Sequence, residues 1–387
     1  MYNFDYEVDR NNTNCVKWDA HKGKLPMFIA DMDFATLPEI VETVVKRANH
    51  PCYGYPTMPE EYFDSYVNWW NTRHSIKFEK EWLLYSIGVV ASLSSIVRRV
   101  THPGENVLIM APVYNIFYNS IINNGRNILS SDLCYDGQEY FVDYEDLEKK
   151  LANPQTSLMI FCNPHNPIGK LWSKEEIAKI GALCKKHHVL VVSDEIHCDL
   201  VKPGLHYTPF MAASEECLNN CITLIAPSKT FSIPGLQASC VVIKDANLRH
   251  KVNRGLNNDE VAEGNVFGCE ATVSAYKYGA VWVDELNQYL EENKEVVRKF
   301  FVEKLPKLHM TTSNATYLLW VDVSSYTDDS SLLCDFLEEK VDVLFSKGAV
   351  YGADGKKFIR MNVATNRKNV IEALNRLERG LKLWEIR

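Results

Sequence analysis

Long apolar runs, a signal-like start and an excess of basic residues are all missing from this chain of 387 residues. No stretch of 18 apolar residues occurs, and the first residues, MYNFDYEVDRNNTN, contain no apolar core. These two absences argue against a membrane-spanning helix and a signal peptide. The net charge of −8 argues against the basic face that nucleic-acid phosphates require. We therefore expect a cytoplasmic protein that binds neither membranes nor nucleic acid.

Cysteine is present but shows no pairing or ligand pattern. The eleven cysteines are irregularly spaced and form no C-x-x-C motif. A disulfide scaffold is therefore not expected, and a zinc or other metal site lacks its ligand spacing. Cys162, Cys221 and Cys240 lie inside apolar runs, where a thiol behaves as a small buried hydrophobe. A reducing compartment agrees with this usage.

The chain is longer than one typical domain, and from residue 82 onward short apolar runs alternate with helical segments. The predicted strands are Trp82–Ser86, Asn106–Met110, Leu158–Cys162, Val189–Ser193, Cys221–Ala226 and Cys240–Ile243. Continuous apolar strands separated by helices indicate an α/β domain with a largely parallel sheet covered on both faces. We assign residues 36–289 to this large domain, and residues 1–35 and 290–387 to a smaller α/β domain.

Three helices have clear local signals. Thr36-Leu37-Pro38-Glu39 predicts a helix start capped by the threonine, and Ser173-Lys174-Glu175-Glu176 predicts a capping box. Glu60–His74 predicts another helix, whose aromatic stripe we interpret as core rather than as a cofactor contact. The stripe consists of Tyr62, Tyr66, Trp69 and Trp70.

Polar residues follow the predicted strands at positions where parallel sheets carry their functional groups. Tyr114, Asn166, Asp194 and Lys229 each come shortly after a strand. Because the carboxyl ends of parallel strands meet at one edge of a sheet, we expect these four side chains to lie together. Taken singly, Asp194 also fits a helix cap, and Asn166 also fits a turn residue between two prolines.

Lys229 lies in Ile222–Leu236, ITLIAPSKTFSIPGL, where a strand leads into a tight polar turn. A lysine whose pKa is lowered by burial forms Schiff bases with carbonyl compounds, although a lone Ser-Lys pair also fits a solvated loop. Pyridoxal 5′-phosphate has an aldehyde for such an amine, and its ring nitrogen needs a carboxylate to remain protonated. Lys229 and Asp194 are the candidates for these two tasks.

The remaining parts of this cofactor each have a candidate as well. Its phosphate needs the N–H groups of a helix start, which Gly88-Val89-Val90 supplies, and Ser228 adds a hydroxyl. Tyr114 offers a ring face for stacking, Asn166 can donate to the ring oxygen, and His197 is a second donor. Tyr114 and His197 are also common as packing residues. The combination at successive strand ends predicts a pyridoxal-phosphate site and no metal.

The sequence resembles the fold-type I, class I/II aminotransferase-like enzymes over nearly its whole length. The motifs that carry this resemblance are Asn163–Lys170 (NPHNPIGK), Ser193–His197 (SDEIH) and Ser228-Lys229. The stretches similar to a narrower group, the MalY/PatB-type cystathionine β-lyases, are Pro26–Phe34 (PMFIADMDF), Tyr53–Tyr55 (YGY) and Ala226–Leu236. The resemblance implies an aspartate-aminotransferase-like fold, with a mostly parallel seven-stranded sheet flanked by helices and a smaller α/β domain.

The resemblance also implies residue roles. Tyr55 would reach the cofactor phosphate and substrate of the partner subunit in a homodimer, and Arg360 would grip the substrate α-carboxylate with its planar fork. Asn166 and Asp33 are expected near the substrate too. Gln237 departs from many transaminases, which carry a phosphate-binding arginine at this position. The departure favours the lyase group over true transaminases.

The activity implied is that of a carbon–sulfur β-lyase acting on cystathionine or related thioethers. In this hypothesis Lys229, Asp194 and Tyr114 are catalytic, and Lys229 removes the α-proton before a thiol, pyruvate and ammonia are released. Cystathionine would give homocysteine. An aminotransferase shares the core residues and remains the alternative. A cofactor-binding regulator without turnover is a more remote alternative, because it requires a basic helix-turn-helix extension.

Overall fold

The computed structural model describes residues 1–387 and contains a large and a smaller sheet with helices packed against both. The strands are β1 Leu25–Pro26, β2 Leu83–Ser86, β3 Asn106–Ile109, β4 Asn127–Ser130, β5 Cys134–Tyr135, β6 Tyr140–Phe141, β7 Thr156–Cys162, β8 Leu190–Asp194, β9 Cys221–Ile225, β10 Ser239–Val242, β11 His309–Met310, β12 Leu318–Asp322, β13 Val343–Leu344, β14 Ser346–Lys347 and β15 Phe358–Asn362. The helices are α1 Pro38–Ala48, α2 Glu60–His74, α3 Val89–Val100, α4 Ile116–Ile122, α5 Tyr144–Leu151, α6 Lys174–Lys186, α7 Phe210–Ala213, α8 Glu215–Asn219, α9 Ala246–Asn258, α10 Gly268–Tyr278, α11 Ala280–Lys304, α12 Ser330–Val341 and α13 Arg367–Glu385. None of these helices combines the length and the apolar content needed to cross a bilayer.

The large sheet has seven strands in the order β2-β10-β9-β8-β7-β3-β4. Strand β10 runs antiparallel to both of its neighbours, and the other pairs are parallel. The expected mostly parallel seven-stranded sheet is therefore confirmed. In a sheet of this kind, the loops that leave the carboxyl ends of the parallel strands form the functional edge.

Alternate residues of the central strands pack into different hydrophobic cores. Met159 and Phe161 of β7 belong to the largest cluster, whereas Leu158 and Ile160 belong to another one. Because successive side chains of a strand point to opposite faces, the sheet is buried on both sides. This double burial explains why the strands are continuously apolar in sequence rather than alternating.

The smaller sheet has the order β11-β12-β15-β14 and is antiparallel throughout. Its core cluster also contains residues from α11, α12 and α13. The N-terminal segment joins this part of the molecule through β1, which pairs in parallel with β13. The division expected between residues 289 and 290 lies inside α11, a 25-residue helix. Its Leu286 packs into the largest core cluster, and its Val297 packs into the core cluster of the smaller sheet.

The expected helix signals had different outcomes. The capping box is present: the Ser173 side chain accepts from the Glu176 backbone N–H, and the Glu176 side chain accepts in return. The expected cap at Thr36 is wrong, because Leu37 precedes the first turn and makes no side-chain cap. The Thr36 hydroxyl instead donates to the Phe231 carbonyl at 2.6 Å, in the loop that follows Lys229.

The aromatic stripe on α2 is core, as expected. Its four large side chains are all buried. Tyr66 and Trp69 pack against Tyr276 of α10, with ring centroids 4.9 and 5.0 Å apart. These contacts hold α2 against α10 within the large domain.

Candidate active site

A cavity of 310 Å³ lies at the carboxyl edge of the large sheet, beyond the ends of β7 and β8. It brings together nine of the ten residues expected to bind the cofactor. They are Gly88, Val89, Val90, Tyr114, Asn166, Asp194, His197, Ser228 and Lys229. These residues come from five separate stretches of the chain, so the site exists only in the folded protein.

Lys229 lies just beyond β9 and is partly buried, and its Nζ donates to the Ala30 carbonyl at 2.5 Å. Burial lowers the pKa of Lys229 to about 8. The charge of Asp31 opposes this shift, that of Arg360 assists it, and that of Asp194 opposes it. A substantial fraction of this amine is therefore neutral near pH 7 to 8, where an ordinary lysine is fully protonated.

Asp194 is the last residue of β8 and is buried beside Cys162 of β7. Burial raises the pKa of Asp194 to about 6, although the Ile196 N–H, 3.1 Å from Oδ1, and the charge of Lys229 lower it. A cationic partner would restore full ionisation of this carboxylate. His197 is also buried, and burial together with Lys229 and Arg360 lowers the pKa of His197 to about 3. Its imidazole is therefore neutral, and its Nδ1 has no hydrogen-bond partner.

Helix α3 begins at Val89, directly after Gly88, without a side-chain cap and without an acidic residue in its first turn. The first N–H groups of a helix have no intrahelical partner, and they attract anions together with the helix dipole. A side chain added at Gly88 would meet open space, so the approach to this helix start is unobstructed. The arrangement suits a phosphate group.

Tyr114 lies beyond β3 and lines the same cavity. Burial, with a further contribution from the charge of Asp194, raises the pKa of Tyr114 to about 12. The phenol is therefore neutral at all working pH values. Its ring is braced edge-on by Phe117, with centroids 5.7 Å apart.

A wider cavity of 910 Å³ opens next to the first one and shares Lys229 and Tyr114 with it. Arg360 of β15 lines this second cavity and is only 4% exposed. Its Nη1 donates to Asn166 Oδ1 at 3.0 Å, and its Nη2 donates to the Phe28 carbonyl at 2.9 Å. The guanidinium lies over the Tyr351 ring, 4.9 Å from its centroid, and its Nε has no partner. This buried fork is suited to a carboxylate.

Asp33 is not at the site, which corrects the expectation. Its carboxylate binds Lys17 Nζ and Arg10 Nη1, both at 2.8 Å, and Trp18 Nε1 at 2.9 Å. Burial alone would raise its pKa, but Lys17, Trp18 and Arg10 hold the pKa of Asp33 below its ordinary value. Asp31, two residues earlier, lines the wider cavity instead and binds Arg10 Nη2 at 2.5 Å.

Tyr55 is the other residue that lies away from both cavities. It is 95% exposed and belongs to an extended segment between α1 and α2.

The site also contains groups that were not expected from the sequence. Ala30 accepts the hydrogen bond of Lys229 through its backbone carbonyl, and a backbone group cannot be recognised from the residue type. Cys162, expected to be a buried hydrophobe, lines the smaller cavity, and its Sγ accepts from the Asn166 N–H at 3.4 Å. Gln237 lines the same cavity, in the position where the resemblance implied a missing arginine. Asp31 also has a carboxylate, but nothing in the sequence indicates that Asp31 rather than Asp33 lines the cavity.

The sequence profile of the family described as aminotransferase class I and II matches residues 22–377, so the chain belongs to that family. Among characterised relatives, it is 39% identical to cystathionine beta-lyase PatB of Bacillus subtilis (strain 168), over 98% of this chain and all of that protein. It is 31% identical to protein MalY of Escherichia coli (strain K12), over 98% of this chain and 97% of the relative. The structure of cystalysin from Treponema denticola, which contains pyridoxal 5′-phosphate, superposes with a TM-score of 0.96 at 31% identity, covering both chains completely.

The residues of this chain fit pyridoxal phosphate on their own geometry. The lysine has a lowered pKa, the buried carboxylate has a raised pKa that a cation would lower, and a helix start is uncapped. His197 Nδ1 is a buried polar atom without a partner, which a bound group would satisfy. These four features face one cavity.

Proposed function

We propose that this protein is a pyridoxal-phosphate-dependent carbon–sulfur β-lyase that cleaves cystathionine or related cysteine thioethers to a thiol, pyruvate and ammonia. The observation that carries the proposal is the position of Lys229. Its amine, with a pKa near 8, lines both the cavity that fits the cofactor and the wider cavity that contains Arg360. Cystathionine would release homocysteine. The activity of the relatives named above supports this assignment.

The cofactor would be held by residues of the smaller cavity. Lys229 would bind its aldehyde carbon, Asp194 its ring nitrogen, and Gly88-Val89-Val90 with Ser228 its phosphate. Tyr114 would pack on the ring, with Asn166 and His197 near the ring oxygen. When bound, pyridoxal phosphate supplies the electron sink that makes the α-hydrogen of an amino acid acidic.

The wider cavity would hold the amino-acid substrate. Arg360 binds the α-carboxylate, and its bond to Asn166 fixes the plane of the fork. This orientation presents the α-carbon to Lys229. The amino group of the substrate would replace Lys229 on the aldehyde carbon, and the freed Nζ would then accept the α-proton. The lowered pKa of Lys229 makes the amine competent as a base near neutral pH, because less of it is protonated beforehand.

The wider cavity is large enough for a substrate that has a bulky group on its sulfur atom. At 910 Å³ it falls in the upper part of the ~300–1,000 Å³ range of ligand sites, so it has room for a large group on sulfur. Lys229, protonated after taking the α-proton, can return a proton to the departing sulfur. The remaining three-carbon fragment hydrolyses to pyruvate and ammonia.

A homodimer in the cytoplasm is part of the proposal. The exposed side chain of Tyr55 would enter the neighbouring subunit and contact the cofactor phosphate there. Each active site would then need two chains.

The decisive experiment offers cystathionine to the purified protein, with and without 2-oxoglutarate. The lyase predicts pyruvate and free thiol in the absence of any keto acid, and no product from Lys229→Ala. Product that appears only with 2-oxoglutarate would instead identify an aminotransferase, which shares Lys229, Asp194 and Arg360. Retained cofactor without turnover of any amino acid would identify a binding protein.

A further inference from the structure

Asp199 is a buried carboxylate that lies outside both cavities of the site. It comes five residues after Asp194, directly after Cys198, and is 4% exposed. The cofactor and substrate roles described above do not use it. A buried carboxylate is costly unless its oxygens are fully occupied, so its contacts indicate what it does.

The contacts of Asp199 connect helix α2 to the loop of the reactive lysine. Its Oδ2 accepts from Thr230 Oγ1 at 2.9 Å, and Thr230 is the residue that follows Lys229. On the other side, its Oδ1 lies 3.0 Å from Trp69 Nε1 and 2.9 Å from His74 Nε2. The carboxylate therefore bridges two α2 side chains and the Lys229 loop.

The carboxylate is ionised in spite of its burial. Burial would raise its pKa, but His74, the guanidinium of Arg73 and the hydroxyl of Thr230 together keep the pKa of Asp199 below its ordinary value. Hydrogen bonds to an ionised acceptor are about twice as strong as neutral ones. The bond to Thr230 is accordingly a firm anchor.

The same cluster is not organised as a metal site. His74, Cys198 and Asp199 offer donor atoms within 4.8 Å of one another. Both carboxylate oxygens are, however, already occupied, and the Nε of Arg73 lies 3.7 Å from Oδ1. Burial raises the pKa of Cys198 well above its ordinary value, so the thiol keeps its proton. A cation would have to displace these partners.

We propose that Asp199 is a positioning residue for Lys229, acting through Thr230. Thr230 is completely buried, so its hydroxyl has no access to water as a substitute partner. The Lys229 loop is closed by the bond from the Phe231 N–H to the Pro227 carbonyl at 2.9 Å, and Thr36 holds the Phe231 carbonyl. Asp199 binds Thr230, which lies in the chain between Lys229 and Phe231. The inference rests on the proposed role of Lys229.

The test compares Thr230→Val, which keeps the branched shape and removes the hydroxyl, with Thr230→Ser, which keeps the hydroxyl. Thr272→Val is the matched control, because Thr272 is also fully buried but bonds within its own helix, to the Gly268 carbonyl. The first readout needs no amino acid: the rate at which added pyridoxal phosphate becomes attached to Lys229, trapped with borohydride and located by peptide mass spectrometry. The second is kcat and KM with cystathionine.

We expect Thr230→Val to slow attachment and to lower kcat roughly tenfold or more, with KM little changed, because the substrate cavity is untouched. Thr230→Ser should recover most of both rates, and Thr272→Val should match the wild type. Equal attachment rates in Thr230→Val and Thr272→Val would overturn the inference. If Thr230→Val does not fold, Asp199→Asn replaces it, with the same expectation and the same refutation.

Two controls distinguish a positioning role for Asp199 from metal binding and from failure of the proposed lyase activity. Removal of metal ions with a chelator should leave attachment and kcat unchanged; loss of activity that zinc restores would overturn the positioning role in favour of a metal site. Attachment at Lys229 without cleavage of any thioether would refute the proposed function and leave the positioning test valid. No attachment in the wild type would refute both.

Discussion

The lysine at the centre of the site should destabilise the protein that contains it. In cofactor-free protein the Lys229 amine has a pKa of about 8, against an ordinary value of 10.5. At roughly 1.4 kcal/mol per pKa unit, burying this amine costs about 3 kcal/mol at pH 7. Methionine has a similar shape and no charge, so Lys229→Met removes that cost. The Ala30 carbonyl then loses its donor, which takes back about 1 kcal/mol.

The net expectation is a gain of about 2 kcal/mol in the free energy of unfolding of cofactor-free Lys229→Met at pH 7. The gain must depend on pH with a definite sign. Between pH 8 and 10.5 the unfolded wild type binds more protons than the folded one, so its stability rises with pH and the advantage of the variant shrinks. Below pH 8 the advantage is constant.

Urea unfolding at equal protein concentration, repeated from pH 7 to pH 10, measures this difference. The control is Lys299→Met, because Lys299 lies exposed on α11 and its replacement removes no buried amine. A Lys229→Met variant that is less stable than the wild type at pH 7, or an advantage that does not change with pH, would refute the reasoning about the buried amine.

Three further predictions follow from the contacts of the site. Arg360→Lys keeps the charge but loses the fork, so KM for cystathionine should rise about tenfold or more with a smaller change in kcat; an unchanged KM would contradict it. Asp33→Asn leaves Lys17 buried without its anion and should cost about 3–5 kcal/mol in urea unfolding; a cost below about 1 kcal/mol would refute the pairing. Mixing inactive Tyr55→Ala and Lys229→Ala subunits should restore activity, and failure to do so would exclude a shared site.

Most strands of the large domain can be predicted from the sequence, because one physical rule determines their composition. Strands buried on both faces must be continuously apolar, so β7, β8 and β9 stand out. Their carboxyl ends then place Asn166, Asp194 and Lys229 at one edge. The pairing of β1 with β13 has no comparable signal, since a two-residue strand is defined only by a partner more than 300 residues away.

The site could be predicted less completely than the fold. Asp31 and Asp33 are separated by one residue in a segment without helix or strand. Only the positions of Lys17 and Arg10 decide which carboxylate is neutralised in the interior. The role of the Ala30 carbonyl cannot be predicted from the sequence, because every residue has such a carbonyl. Thr36 has the pattern of a cap, yet its hydroxyl is used by the Lys229 loop. In each case a contact distant in sequence determines the role of the residue.

The central claim is that this chain breaks a carbon–sulfur bond by elimination, and product stoichiometry tests it most directly. Cystathionine should be the sole substrate, with no keto acid present, and pyruvate and homocysteine should be counted against active sites. Elimination predicts equal amounts of the two products, rising over many turnovers. Formation of products that stops at or below one equivalent per active site, and resumes only when a keto acid is added, would contradict it.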